Sequence, residues 1–548
     1  MPTVTPTILS DGQAMDPSYR LLSLDIRKEV GRIPHAELRL LDGSAAKREF
    51  AVSDQPFFVP GATLEIKLRY GDDPDVTVFK GVVVRHGVEA TRDGSLLVVG
   101  CKDAARKLAG ARKSAVFRDQ TDGDIFQKLI GDAGLQVGSL PTTAPQHAEM
   151  VQYQSSTWDF LLLRAEALGL LVAVDDGAIS MQPLAGLLGQ QPSGRFEYGM
   201  DAITEIEFEA DAEGQLEAVD SQGWDIQAGG PTAGTAAQEQ ALSPGDLDGG
   251  ALGKSLAGGP VHLVHAVPLF SDELQAWADG RLARSRLSLL RGRLSTVGMP
   301  DLKLLQVIEI AGVGKHFNGN TVITGLRHRV DADSWSTDVQ FGLEAGCFAE
   351  KPGIHDPPAG GLLPAVLGLQ VGVVCEFAED PLGELRAKVK LASIEHNDSA
   401  AVWARIATPS AGAGRGMYFG LEPGDEVTVG FLNGDPRHPV ILGSLFSSRN
   451  ALPAAIGQPN DKNDKLGIVT KKGTTLGFLD GDKPSMYIET AAGNKLLVDD
   501  DGAQIQIADQ HGNKITLSQD GIVIESASDL KIQAQGAVEI TGQTVDVK

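Results

Sequence analysis

The feature that most constrains this chain lies at its C-terminal end, where six pairs of branched aliphatics recur in an i, i+2 pattern: Ile505/Ile507, Ile515/Leu517, Ile522/Ile524, Leu530/Ile532, Val538/Ile540 and Val545/Val547. Successive pairs are separated by the length of one short strand plus one turn, and the pattern repeats to Lys548. Alternation with a period of two gives each strand one apolar face, while Gln, Asp, Lys, Ser, Thr, Glu and Gly fill most other positions. From Ile488 onward there is no aromatic residue, proline or cysteine, so the space these aliphatics fill is too narrow for a ring and belongs to a slender rod. Apolar burial within one such strip falls short of the entropy of ordering it. Repeats that cannot bury their own face need neighbours, which predicts several copies wound about a common axis; three is the smallest number that closes a prism. The competing readings are a single-chain β-helix, which usually uses longer coils, and an unstructured tail. The predicted core of the intertwined needle is Ile505, Ile507, Ile515, Leu517, Ile522, Ile524, Leu530, Ile532, Val538 and Ile540.

The chain has 548 residues, enough for three or four domains, and 42% of them are apolar, as in a soluble globular protein. Its 72 acidic and 48 basic residues give a net charge of -24, which repels nucleic acid and anionic lipid headgroups. No nucleic-acid partner is expected. Cys101, Cys347 and Cys375 are odd in number, far apart and without metal-ligand spacing, so they read as small core residues of a protein made in a reducing cytoplasm. The start, Met1-Pro-Thr-Val-Thr-Pro-Thr7, has neither a basic n-region nor an apolar h-region, and the most apolar stretch, Gly361 to Cys375, is interrupted by Pro364 and Gln370. The expected localisation is synthesis and assembly in the bacterial cytoplasm without a signal peptide, followed by export as part of a larger particle.

Up to about residue 355 strand-like runs mix with a few helices. Leu21 to Ile26, Ala36 to Leu41, Leu64 to Tyr70, Val76 to Val84 and Leu96 to Cys101 are rich in β-branched, Leu or aromatic residues and bounded by Gly, Asp or Pro, which suggests barrels. A helix is predicted from about Thr157 to Leu168, with Ser156 and Asp159 at capping-box spacing and Gly169 as its stop. A second begins near Ser271 and puts Leu274, Trp277, Ala278, Leu282 and Leu289 on one face. Gln227 to Gly259, heavy in Gly, Ala, Ser and Pro, reads as a surface insertion or flexible loop. Pro and Gly between Pro352 and Pro364 mark a linker. Runs at Leu367 to Phe377, Leu385 to Leu391, Ala401 to Ile406, Gly416 to Gly420, Glu426 to Phe431 and Val440 to Leu445 then predict a small closed barrel of the oligonucleotide/oligosaccharide-binding (OB) type. The expected domains are 1–355, 364–450 for the OB barrel, a linker over 451–465 and the needle over 466–548; the fold class is mainly β.

Val151 to Leu170, with Trp158, Asp159, Phe160, Arg164, Glu166 and Gly169, resembles the signature helix of the VgrG and phage tail hub-spike family. Phe317-Asn-Gly319 through Thr324 and His328 to Trp335-Ser-Thr-Asp338 is also similar to that family. So is the barrel segment from Trp403 through Pro409, Gly412, Gly416, Glu422-Pro-Gly424-Asp425 and Gly434-Asp435-Pro436 to Gly443. The resemblance covers nearly the whole chain except the Gly/Ala-rich stretch after Trp224. It implies a homotrimeric spike: a hub with two barrels per chain joined to the inner tube and baseplate of a contractile injection machine, an OB barrel, and a pointed β-prism that a sheath drives through a target membrane. Related phage spikes insert a lysozyme between barrel and needle, whereas here the two are separated only by the short stretch 449–465, far below the size of an enzyme domain. Some type VI secretion tip proteins continue past the prism into an effector, whereas this chain stops at Lys548 within the repeat and reads as a bare spike. Small phage spikes with an axial His-x-His hold iron, but the one histidine of this needle is His511. The blunt end, Val545, Asp546, Val547 and Lys548, is the expected seat of a separate cap of the PAAR-repeat type. Effector cargo is a further candidate partner.

Motifs for chemistry are weak. Gly253-Lys254-Ser255 resembles the end of a phosphate-binding loop, but Asp248 stands where its first glycine belongs. Asp499-Asp500-Asp501-Gly502 lacks the spacing and the bidentate Glu of a calcium loop. Histidines are scattered, with His328 and His396 read as surface or hydrogen-bonded residues, and Trp158, Trp224, Trp277, Trp335 and Trp403 are read as core anchors. The chain is therefore expected to be non-enzymatic, with no cofactor and no metal. The leading expectation is the hub and puncturing spike of a phage-tail-like extracellular injection particle. The alternatives are a VgrG tip protein of a type VI secretion system, an envelope-degrading hydrolase, and a carbohydrate-binding use of the small barrel. In this register Ile515→Asp should block trimerisation and Lys514→Asp, pointing outward, should be tolerated.

Overall fold

The alternation in Leu21-Leu-Ser-Leu24-Asp-Ile26 puts Leu24 and Ile26 on one side of a strand, and in the computed structural model of the chain both are buried in one core. The described residues are 3–92, 94–187, 190–238, 244–257, 259–331, 334–354, 357–393 and 400–548. They fall into two compact units, Met1–Asp356 and Pro357–Lys548, and both are mainly β.

The first unit is organised on one 13-stranded sheet. Its seam joins Gly319–Asp331 to Leu21–Glu29 in antiparallel register, with His328 across from Ile26, so strands from opposite ends of the unit's sequence become neighbours. On one side of the seam, strands Val4–Ser10, Leu21–Glu29, His35–Leu41, Thr63–Tyr70, Val76–Thr91 and Gly94–Lys102 enclose a core containing Phe58, Leu64, Ile66 and Phe79. On the other, Ile203–Ala210, Leu290–Val297, Val307–Ala311, Gly319–Asp331 and Trp335–Phe341 enclose Leu294, Ile310, Ile323 and Phe341. The sheet thus has two halves, each with its own core.

Helices fill the space beside the sheet. Thr157–Ala167 is capped as its sequence predicts: Ser156 Oγ accepts the Asp159 amide at 3.0 Å. Ser271–Leu289 buries Leu274, Ala278, Leu282 and Leu289 along one face, with Trp277 half-buried. A third helix, Asp122–Asp132, carries a full capping box between Thr121 and Asp124. The Gln227 to Gly259 stretch is more than a loop. Its described residues include short strands Gly230–Pro231 and Thr235–Ala236 and a helix over Gly249–Ala257.

In the second unit a five-stranded barrel closes in the order Gln370–Val374, Ala387–Leu391, Val402–Ile406, Pro439–Ser444, Glu426–Phe431. Val374, Val389, Val427, Val429 and Ile441 fill it. The run Gly416 to Gly420 does not form a strand: Ala411–Gly412 and Arg415–Gly416 make a short hairpin, after which Met417, Tyr418 and Phe419 stand exposed. Beyond the barrel comes a seven-stranded antiparallel meander, Lys465–Val469, Thr475–Leu479, Ser485–Glu489, Lys495–Asp499, Gln504–Ala508, Lys514–Ser518 and Gly521–Glu525.

Strands stop there. Residues 526–548 form no strand within one chain, although a strand and turn were expected to repeat to the end. The spacing of the pairs does not account for this: Ile515 and Ile522 are only seven residues apart and lie on paired strands, while the later steps, from Ile522 to Leu530, Leu530 to Val538 and Val538 to Val545, are no shorter.

Candidate functional site: an uncovered apolar sheet face

The meander aligns its aliphatics into two rows. Cross-strand partners run Ile468, Leu476, Ile488, Leu496, Ile507, Ile515, Ile524 in one and Leu466, Phe478, Met486, Val498, Ile505, Leu517, Ile522 in the other. At about 4.8 Å between strands, seven strands carry each row over roughly 29 Å. Among the described residues of the chain most of both rows are left open, with Leu476 and Val498 half-buried. Ile468, Ile488, Ile505, Ile507, Ile515, Ile522 and Ile524 are all exposed, where a folded core would bury such side chains.

The opposite face is mixed: Val469, Leu479, Tyr487, Leu497 and Val523 share it with polar residues, several of them ion-paired. Lys514 meets its cross-strand partner Glu525 at 2.7 Å, Lys495 meets Glu489 at 3.6 Å, and Lys483 reaches Asp501 in the next turn at 2.6 Å. The acidic turn Asp499 to Asp501 is therefore part of an ion-paired surface.

Turns on one edge repeat a short pattern that the aliphatic spacing alone did not reveal. Thr470-Lys-Lys-Gly473-Thr474, Thr490-Ala-Ala-Gly493-Asn494 and Asp509-Gln-His-Gly512-Asn513 each close with the first residue's N–H donating to the fifth residue's carbonyl at 2.9 Å, and with a positive-φ glycine fourth. The asparagines then tie turn to turn: Asn494 Oδ1 accepts from Gln510 N–H at 3.2 Å and Asn513 Oδ1 from Ala527 N–H at 2.8 Å. Asn513 also donates to Asp509 at 2.7 Å, and that hydrogen bond holds the Asp509 carboxyl below its ordinary range. The signal available in the sequence was the motif Thr/Asp-x-x-Gly-Thr/Asn, recurring from Thr470, Thr490 and Asp509.

Of the predicted needle core, Ile505, Ile507, Ile515, Leu517, Ile522 and Ile524 lie together on the open face. Leu530, Ile532, Val538 and Ile540, and the predicted cap seat Val545, Asp546, Val547 and Lys548, lie in the strandless segment and are exposed. Four earlier rungs, from Leu466 to Val498, extend the same face upstream of the expected core.

The strongest titratable cluster belongs to the first unit. Asp122, fully buried at the start of its helix, accepts from Arg164 Nε at 2.8 Å and Nη2 at 2.9 Å, and its Oδ2 also lies 2.8 Å from His147 Nε2. Arg164 reaches on to Glu273 at 3.1 Å. Through Asp122, Arg164 and Glu273 the cluster ties three helices together. Burial alone would push the Asp122 carboxyl up, but the Arg164 guanidinium and His147 hold it below the usual carboxylate range.

Among the described residues no group of three or more His, Cys, Asp or Glu side chains is arranged to hold a metal ion, and no helix is long and apolar enough to cross a membrane. Gly253-Lys254-Ser255 sits inside the Gly249–Ala257 helix, with Lys254 3.6 Å from Glu217. Cys101 and Cys375 are buried, and burial pushes the Cys101 thiol up to about 12; Cys347 is only half-buried and faces Arg281. His328 is buried rather than superficial, with Nδ1 3.0 Å from Thr337 Oγ1. His396 lies outside the described residues. Trp158 and Trp335 are buried, Trp277 and Trp403 half-buried, and Trp224 is exposed, so it anchors no core.

Three family models match the chain in order. Residues 1–332 match the Alg8 N-terminal domain, 370–446 the type VI secretion system/phage-baseplate injector OB domain, and 485–548 the phage baseplate V C-terminal trimerisation domain. The chain is similar to the type VI secretion system spike proteins VgrG1c and VgrG1b of Pseudomonas aeruginosa. It is 22% identical to VgrG1c over 493 residues, 84% of this chain and 64% of that protein, and 25% identical to VgrG1b over 238 residues, 40% and 32%. The chain thus spans between about a third and just under two thirds of the length of these relatives. Among solved structures, the tail protein from Neisseria meningitidis MC58 matches 64% of this chain and 99% of its own length at 13% identity, with a TM-score of 0.46.

Proposed function

Because the chain belongs to the Alg8 N-terminal domain family over residues 1–332 and continues into a phage-baseplate injector OB domain and a baseplate trimerisation domain, we propose that it is the trimeric hub and puncturing spike of a contractile injection machine. The observation that carries this reading is the pair of aliphatic rows left open along seven strands. One chain has no use for such a face in water. Three chains that turn it inward bury it completely and present their ion-paired faces outward, which makes a stiff rod. The strandless segment 526–548, whose aliphatic pairs keep their two-residue alternation, then finds its strand partners in the other copies.

In this role the first unit docks on the inner tube and baseplate, the OB barrel joins hub to needle, and Val545 to Lys548 receive a conical cap of the PAAR type. The work is mechanical and non-enzymatic. The protein assembles in the cytoplasm and acts outside it, as part of a phage-tail-like extracellular particle. The names of its relatives favour a second reading, the tip of a type VI secretion machine. Sedimentable sheathed tubes that carry the protein in culture supernatant support the first, and absence of free particles with contact-dependent delivery supports the second.

The test of the spike itself is the mass of the purified full-length chain by light scattering, paired with electron microscopy. A particle of three times the 57.7 kDa chain mass, with a thin projection, is expected. A compact monomer at micromolar concentration sinks the reading.

A further inference from the structure

Three hollows in the first unit share walls and form one groove. The largest, of about 390 Å³, is bordered by Arg27, Arg32, Lys102, Trp158, Phe348 and Lys351. A neck of about 90 Å³ continues it past Arg32, Arg284, Phe348 and Lys351, with Leu162 and Val172 also in its wall. A third hollow of about 360 Å³ opens beyond the neck, with Arg32, Arg284 and Lys351 common to both. The walls are pinned to one another: Gly31 N–H donates to the Val172 carbonyl at 2.8 Å, Phe348 N–H to Glu166 at 2.7 Å and Arg284 Nε to the Gly346 carbonyl at 2.9 Å. A groove held in this way is preorganised for a ligand.

Its charge runs against that of the molecule. In a chain with 72 acidic and 48 basic residues, the largest hollow and the neck set Arg27, Arg32, Lys102, Arg284 and Lys351 against only Glu29 and Glu166. Arg27 is paired with Asp25, Arg32 with Glu29 and Arg284 with Glu166. Lys102 and Lys351 form no ion pair among the described residues; Lys351 instead lies over the Phe348 ring, its Nζ 5.5 Å from the centroid. His35, on the same border, is held below its ordinary 6.5 by desolvation and next by Arg27, with Lys102 adding to the effect and Asp25 and Glu29 opposing it. The third hollow is different, because Arg291 and Arg293 there are already neutralised by Glu209 and Glu205, each at 2.8 Å. The unspent positive charge thus lies at one end, beside the rings of Trp158 and Phe348.

Two free ammonium groups beside an aromatic wall fit carboxylates that flank an apolar side chain. Hollows joined end to end by a narrow neck suit an extended chain better than a compact anion, and the net charge of -24 opposes a polyanion as long as a nucleic acid. We propose that this groove captures an acidic, extended segment of another protein, with Lys102 and Lys351 meeting its carboxylates and Trp158 and Phe348 its apolar side chain. The groove lies within one unit of one chain, so a monomeric needle would leave this inference standing.

The test uses the full-length chain and a fluorescein-labelled peptide with a central phenylalanine flanked by glutamates, read by fluorescence anisotropy, with glutamine in place of glutamate as the uncharged control. The glutamate peptide is expected to bind and the glutamine peptide to bind about tenfold more weakly. Lys102→Gln with Lys351→Gln is expected to weaken the glutamate peptide about five- to tenfold. Lys47→Gln with Lys254→Gln, two exposed lysines outside the groove, is expected to leave it unchanged. Equal losses in the two double variants would reduce the effect to overall charge and overturn the groove, and so would the absence of peptide binding. Inorganic phosphate that competes as well as unlabelled peptide overturns the peptide in favour of a small anion. Acetylation of the peptide-free chain by N-hydroxysuccinimidyl acetate, mapped by mass spectrometry, is expected to modify Lys102 and Lys351 as fast as Lys47. Protection of both that is lifted in the Ile515→Asp variant gives the groove to a second copy of this chain and overturns the proposal.

Discussion

Ile507 and Ile515 are direct cross-strand partners, yet in one chain Ile507 is 50% exposed and Ile515 37%. A pair so placed is stabilised only when a neighbouring copy closes over it. Ile515→Asp sets three carboxylates about one axis and is expected to cost at least about 3 kcal/mol of trimer stability, read as a shift from trimer to monomer in light scattering. The outward control needs care. Lys514 is ion-paired to Glu525 at 2.7 Å, so Lys514→Asp would oppose two carboxylates, whereas Lys514→Gln removes the charge without repulsion and is expected to stay trimeric with a loss under about 1 kcal/mol. A monomeric Lys514→Gln would show that the rows, not their polar backs, face solvent.

His328 links the stability of the first unit to pH. Burial, with Lys28 and Lys303 nearby, depresses its pKa from 6.5 to about 3, so in the folded protein the ring stays neutral while in the unfolded chain it takes up a proton below pH 6.5. The unfolded state then binds more protons, and stability falls as pH falls from about 6.5 towards 3, by about 1.4 kcal/mol per unit from this residue. His328→Gln is expected to flatten the pH dependence of urea unfolding between pH 4 and 6.5. A variant with the wild-type slope there would assign that slope to other groups.

Asp122 works in a lower window. Its carboxyl is held below 3.8 by Arg164 and His147 against the opposing effect of burial, so its stabilisation is complete above the unfolded value and is lost as pH drops through the folded one, below about pH 4. Asp122→Ala leaves Arg164 and His147 facing a void and is expected to destabilise the first unit by about 3–5 kcal/mol at pH 7. Denaturant unfolding followed by the fluorescence of buried Trp158 measures it. A loss below about 1 kcal/mol would mean that Glu273 alone satisfies Arg164.

What was legible in the sequence was what local pattern controls. Ser156 and Asp159 marked a cap, and period-two runs such as Ala36 to Leu41 located strands closely. The rows of the needle were legible as faces, because Ile505, Ile507, Ile515 and Leu517 alternate strictly. Less legible was anything set by distant partners. The seam pairing of His328 with Ile26 has no local signal, so the sequence left His328 as either a surface or a hydrogen-bonded residue until its neighbour was known. Leu530 to Val547 keep the alternation of a strand but have no strand partner among the described residues of their own chain, since strand pairing needs a second strand and periodicity alone does not supply one.

Gly298 is a position where one added methyl group meets almost no room. It follows the Leu290–Val297 strand, its N–H lies 3.0 Å from both Tyr70 Oη and the Trp335 carbonyl, and Tyr70 Oη donates to the same carbonyl at 3.1 Å. The Tyr70 and Trp335 rings lie with centroids 5.0 Å apart, and a Cβ on residue 298 would sit 2.0 Å from the Trp335 ring. Trp335 packs with the core of one half of the sheet, while residue 298 continues the other half, so the methyl group pries at the place where the halves join. Gly298→Ala is expected to cost about 1–3 kcal/mol, a fall of several degrees in the first unit's melting temperature. Gly131→Ala is the matched control: nothing lies within 4 Å of its Cβ, it sits in the Asp122–Asp132 helix, and alanine there is expected to add about 0.5 kcal/mol. Thermal unfolding of the two variants therefore moves in opposite directions, and equal shifts would mean that the Tyr70–Trp335 contact yields to the methyl group without strain.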